Sequence, residues 1–367
     1  MISSLDTATK RFISIAQGER TLTRLAGLAV VVLIVFSLLS PQVFFSVINF
    51  QTMAFSIPEI GLLGLAVMVS MFTGGIDLSV VSIANITALT TASLFAAFDA
   101  TSATGGRAIL LTVLFVAIGL LAALLAGLFN GFLVAVVGIT PILATLGTMQ
   151  LFNGIAIVWT GGETLYGMPD VFLTLGINTI AGIPISFIIF GVIALALAVL
   201  VNRTPLGIKL RLVGANPTAA RFSGIDNRRV LLLTYVVTGL LAGVSGVIIA
   251  SRSASAGPDY GASYVLLAIV IAVLGGTNPM GGYGTVLGVV LATATLQMVS
   301  SGFNILRLSP FEYTIAQGVI LIAVMVFEVV QTRRRARATP SKATPEPAPP
   351  DGPSGPAIPV GASTSTP

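Results

Sequence analysis

The chain has 367 residues, 55% of them apolar and 8% charged, with a net charge of +5 and neither cysteine nor histidine. A mean hydropathy of +1.01 excludes an ordinary soluble domain. The missing residue types exclude a disulfide framework, a thiolate nucleophile and the commonest general base and metal ligand.

A bilayer core about 30 Å thick takes roughly 20 mainly apolar residues per helix, and the chain supplies such runs repeatedly. Candidate spans fall at 25–40, 53–72, 78–98, 108–128, 139–160, 185–201, 230–250, 262–275, 284–301 and 312–330. The fold class is therefore all-α, a polytopic transmembrane helical bundle of about ten spans.

Residues 1–24 form an N-terminal segment that carries Lys10, Arg11, Arg20 and Arg24, with no signal-peptide cleavage site after the first apolar run. The transmembrane domain is expected over 25–331, with a cytoplasmic loop at 202–229. A basic flank with Arg333, Arg334, Arg335 and Arg337 leads into a Pro-, Ser- and Thr-rich tail, so 332–367 reads as a disordered cytoplasmic extension. The flank also suits contact with anionic membrane lipid.

With the N-terminus inside, 15 of the 18 Lys and Arg residues fall in cytoplasmic segments, and Arg107, Arg252 and Arg307 fall outside. Orientation by positive charge predicts that asymmetry, with both termini cytoplasmic and a multi-pass inner-membrane location. The basic isoelectric point near 9.9 thus belongs to the membrane and not to nucleic acid.

Two Gly-Gly stretches interrupt the apolar runs, "FTGGIDLS" at 72–79 and "LGGTNPMGGYG" at 274–284. Breaks at membrane depth free backbone polar groups, which is tolerated inside protein or beside a water-filled path. Paired breaks suggest a two-half repeat with Gly-broken helices around a central route. Tight turns and close helix packing explain the same glycines. Asp77 either caps the helix that follows it or faces the route, and the two roles are compatible.

Polar residues inside the spans are mostly hydroxyls and amides, which suit a neutral, hydroxyl-rich cargo or bonds between helices. Gly74, Gly75, Asp77, Ser79, Asn85, Asn130, Thr145, Gly275, Gly276 and Asn278 are the candidate pathway residues. Glu59, Glu312 and Glu328 lie near span ends, where an interfacial position accounts for them, and Trp159 reads as an interfacial anchor. No metal site is expected.

The passage "RTPLGIKLRLVGANPTAARFSGIDNRRV" at 203–230 holds six of the Lys and Arg residues between two apolar runs. It has too many charges, glycines and prolines to cross a bilayer. One short helix is expected there, capped by Asn216 or Thr218, begun by Pro217 and ended by Gly224. Such an element is either a docking helix or an orientation signal.

"GANPTAARFSGI" is similar to the cytoplasmic coupling motif of bacterial ABC importer permeases, with Thr218 where many relatives carry Glu. "TGGIDLSV", "NGFLVAVVGITPILATLGTM", "RTPLGIKLRLVGANPTAARFSGI" and "AVLGGTNPMGGYGTVLG" follow the order seen in the ribose, rhamnose and autoinducer class of sugar permeases. That resemblance covers roughly residues 50 to 330. Val265 and Leu267 stand where many ribose-type relatives carry acidic residues, which leans toward the rhamnose or autoinducer branch.

The resemblance implies a non-catalytic membrane subunit that moves a monosaccharide or related polyol by alternating access. Its coupling residues would be Gly214, Asn216, Pro217, Thr218, Ala219, Ala220, Arg221, Gly224 and Ile225. The implied partners are a cytoplasmic ATP-binding subunit that holds ATP and Mg, a second permease chain and an extracytoplasmic substrate-binding protein. The chain itself lacks a Gly-x-x-x-x-Gly-Lys-Ser/Thr loop. The rival reading is an ion-coupled secondary transporter of a small polar solute. The absence of His and the scarcity of buried carboxylates beyond Asp77 argue against proton coupling.

Overall fold

The computed structural model of the chain describes residues 22–309, 311–320, 322 and 326. The helices through residue 320 belong to one unit, Met1–Leu321. Among the described residues, eight helices are long and apolar enough to cross a membrane.

In chain order these are α1 (Leu22–Leu39), α3 (Val47–Phe72), α4 (Val80–Ala97), α5 (Gly105–Phe132, prolonged by a π-turn at Leu133–Val137), α6 (Pro141–Thr160), α8 (Ile185–Arg203), α11 (Asn227–Ser253) and α13 (Val286–Ile305). Shorter helices are α2 (Pro41–Phe44), α7 (Asp170–Ile177), α9 (Pro205–Ala215), α10 (Pro217–Phe222) and α12 (Tyr264–Leu274). Helix α14 occupies 311–320. A two-residue hairpin pairs Thr179 with Pro184 and Ile180 with Ile183. The fold is a helical membrane bundle.

The ends of these helices follow local chemistry. Ser46 caps α3 by accepting from the Asn49 N–H (3.2 Å). Pro141 opens α6, and Gly161 closes it in a left-handed conformation. Ser309 and Glu312 form a reciprocal capping box at the start of α14, so Glu312 is a helix-capping residue. Glu328 and the basic flank lie outside the described residues.

One of the ten expected spans needs correction. The segment expected at 262–275 is helical only over the 11 residues of α12, about 16 Å long. Turns before Tyr264 and the Gly275–Gly276 break after Leu274 cut it short of a bilayer. The last expected span, 312–330, is helical over 311–320 and otherwise falls mostly outside the described residues. The two Gly-Gly breaks share a left-handed glycine just past a helix end, Gly74 (φ 80°) and Gly276 (φ 82°). The helices they end differ, since α3 has 26 residues and α12 has 11.

Burial sorts the helices into a centre and a rim. Helices α3, α4, α11, α12 and α13 pack against one another, with α5 closing against α11. The central stretch of α3 is 83% buried, whereas α5 and α8 are 28% buried. Helices α3, α4, α11 and α13 carry most of the buried hydroxyl groups, whereas α5, α8 and α12 are the more apolar. With lipid as solvent, apolar area alone does not hold helices together, so close backbone approach and polar bonds take that role. Gly127 of α5 lies against Gly239 of α11, where a β-carbon on either would strike backbone of the other helix.

Candidate functional site

The basic island folds as two helices, α9 and α10. Thr204 precedes α9, and Pro205 occupies its first turn. The Asn216 side chain caps α10 by accepting from the Ala219 N–H (2.9 Å), so Asn216 and not Thr218 is the cap. Gly224 ends it at φ 78°, a left-handed value that favours glycine. The Asn227 amide donates to the Pro217 carbonyl (2.8 Å), and Asp226 caps α11 through the Arg229 N–H (3.2 Å). The island is thereby braced against the start of α11.

Helix α10 has two unlike sides. Pro217, Thr218, Ala219 and Arg221 are exposed, while Ala220 is buried within the chain. Phe222 is 89% exposed, a position that small-residue reasoning overlooked. Its signal was an aromatic residue in a polar loop. Met280, in the second Gly-Gly break, is also exposed.

The island and both breaks meet. The Phe72 carbonyl at the end of α3 accepts from the Gly282 N–H (3.0 Å), and a β-carbon on Gly214 would overlap that same carbonyl. A β-carbon on Gly281 would lie 2.9 Å from Gly74 N and 2.7 Å from the Gly214 carbonyl oxygen. Asn278 shapes the loop by donating to the Gly281 carbonyl (3.0 Å) and accepting from the Met280 N–H (3.0 Å). The Arg211 guanidinium lies over the Phe72 ring (5.7 Å to its centroid) and donates to Asn202 (2.8 Å). Partial burial lowers the pKa of Arg211, and Tyr283 opposes that shift.

Asp77 sits in a buried polar network. Its Oδ1 accepts from the Ser79 N–H (2.9 Å) and hydroxyl (2.7 Å), and its Oδ2 accepts from the Thr238 hydroxyl (3.2 Å). Asn130 donates to the Ser79 hydroxyl (2.7 Å), and the Thr145 hydroxyl accepts from the Leu78 N–H (3.1 Å). Asp77 thus orders the turn before α4 and ties it to α11. Asp77, Ser79, Asn130 and Thr145 have no solvent exposure in this conformation. Asn85, six residues along α4 from Ser79, bonds instead to the Pro258 carbonyl (2.8 Å). Gly75 lies against Pro141, and Gly275 against the backbone of α13.

The sequence reading placed Glu59 at an interface and Arg252 in an outer loop. In the structure Glu59 is buried in α3, and Arg252 belongs to the last turn of α11. They form an ion pair, with Arg252 Nη1 2.9 Å from Glu59 Oε1. The pair borders a cavity of about 470 Å³ between α3, α11, α12, α13 and α14.

Among the described residues no cluster of three or more His, Cys, Asp or Glu side chains is placed to hold a metal ion. Comparison with known proteins decides the family. The profile of the family described as "Branched-chain amino acid transport system / permease component" matches residues 49–328. The chain belongs to that family.

This permease is 34% identical over 304 residues to the ribose import permease protein of Bacillus subtilis, covering 82% of this chain and 90% of that one. It is 29% identical to the D-allose transport system permease protein of Escherichia coli, over 81% of this chain and 88% of that one. It is 33% identical over 281 residues to the autoinducer 2 import system permease protein of Yersinia enterocolitica, over 75% of this chain and 82% of that one. No solved structure matches it. The permease is a non-catalytic, multi-pass membrane subunit of an ABC importer, and permeases of this kind work with a separate ATPase and a substrate-binding protein.

Proposed function

We propose that this permease moves a monosaccharide or a related polyol across the bacterial inner membrane, by alternating access driven by a partner ATPase. The observation that carries the reading is the contact of the island with both Gly-Gly breaks through Gly214. A push on α10 reaches the end of α3 and the loop between α12 and α13 without passing through a flexible side chain. ATP and Mg would be held by the partner, and the termini would lie in the cytoplasm with the island.

The cargo class comes from the ribose, allose and autoinducer 2 relatives, and from the hydroxyl and amide character of the central helices. In the closed conformation, the Asp77 network and the glycine junction seal the route. Ser79, Asn130, Thr145 and Thr238 would exchange partners when it opens.

A second permease chain completes the pathway. Support for it comes from α6, which is only 28% buried yet presents Gly147, Gln150 and Gly154 outward. A β-carbon on either glycine would meet open space, so the face admits another helix closely.

The test is purification of the full-length chain from its native membrane in mild detergent, together with sugar uptake by the parent cells. A co-purifying ATPase, and loss of ribose or allose uptake on deletion of this chain, are the expected results. Recovery without any ATPase, or unchanged uptake of every sugar tried, would remove the reading.

A further inference from the structure

The cavity beside Glu59 lies at the end of the bundle away from the island. Its wall on α3 runs from Asn49 to Ile60, whereas the Phe72 end of that helix meets α9. Arg252 stands 25 residues, about 37 Å of helix, beyond the Asn227 end of α11 that meets α10. At 470 Å³ the space falls within the usual range of small-molecule sites, about 300–1,000 Å³.

We propose that this cavity is a binding site for one neutral, hydroxyl-rich solute of monosaccharide size, gripped by the Glu59–Arg252 pair. The proposal rests on the importer reading above and names where its cargo is held. A carboxylate only accepts hydrogen bonds and a guanidinium only donates them. Set 2.9 Å apart, they offer both to two neighbouring hydroxyls of one sugar, one hydroxyl donating to Glu59 and the other accepting from Arg252. Bonds to ionised groups are about twice as strong as neutral ones. Asn49, Ser56, Gln297 and Asn304 supply further donors and acceptors around the wall.

The pair is neutral as a unit, so it does not attract an ion of either sign. An amino-acid zwitterion would have to part the two charges, whereas a sugar hydroxyl pair bridges them as they stand. Glu59 is buried but the Arg252 side chain is one-third exposed to the cavity side, and an ion pair open to solvent is a weak stabiliser, so locking α3 to α11 is a poor explanation for its presence.

Because the chain has no cysteine, Ser56→Cys places a single thiol on the cavity wall. The full-length variant in lipid nanodiscs would be alkylated with N-ethylmaleimide alone, or with D-ribose, ribitol, leucine or sodium chloride. D-ribose and ribitol should slow alkylation several-fold, while leucine and salt leave the rate unchanged. The slowing should vanish in Glu59→Gln/Arg252→Gln, which removes both charges and strands neither. It should weaken in Gln297→Leu, which keeps the pair and serves if the double variant does not fold.

Rates indifferent to polyols, equal slowing by leucine, or a thiol that never reacts would overturn the site. So would protection that survives both variants. Ribose uptake and ATPase binding without any protection would reject this cavity and leave the importer reading standing. Protection in a chain that binds no ATPase would do the reverse.

Discussion

Gly214, near the end of α9, lies so close to the Phe72 carbonyl at the end of α3 that a single added methyl group would overlap the oxygen. The neighbours on this side are backbone, with Gly282 N 2.7 Å and Phe72 C 2.9 Å from the added carbon. Backbone cannot step aside as a side chain does, so Gly214→Ala forces α9 off α3. The expected loss is at least the ~1–3 kcal/mol of ordinary overpacking, read as a lower thermal midpoint in detergent. Gly191→Ala, at an open position on α8, should not lower the midpoint and serves as the control.

Helix α10 separates folding from docking. Phe222 is almost fully exposed and Ala220 is buried. Phe222→Ser should keep the wild-type thermal midpoint but lose the co-purifying ATPase and uptake. Ala220→Glu buries a charge, so its midpoint should fall along with ATPase binding. Retention of the ATPase by Phe222→Ser would show that this side chain is not the docking contact.

The three bonds accepted by Asp77 come from neutral donors on its own turn and on α11. Asn preserves one acceptor oxygen, and its amide can donate to the Thr238 hydroxyl. Asp77→Asn should therefore keep most uptake at normal membrane levels. Asp77→Leu leaves buried donors unpaired, which costs about 1–3 kcal/mol for each group, and should lower the folded yield. A loss of uptake in well-expressed Asp77→Asn would assign the work to the charge.

On α6, Gly147 and Gly154 sit seven residues apart on the side that presents Gln150. Gly154→Trp should convert a permease pair into single chains, seen as a lower mass in native mass spectrometry from nanodiscs. The thermal midpoint of the chain itself should hold, because nothing within the chain lies near that β-carbon. An unchanged pair would place the partner on another face.

The sequence by itself determined the membrane class, most of the spans and the short capped helix at Pro217–Phe222. Each of those depends on short stretches: an apolar run as long as a bilayer is thick, or an Asn followed by Pro. Tertiary structure alone decided which side of α10 is exposed, since a six-residue helix has no periodic pattern long enough to mark a face. It also decided that Glu59 meets Arg252 and that Gly214 meets Phe72. Those partners are far apart in the chain, and in lipid the pattern of apolar residues does not say which helix a polar or small residue will touch.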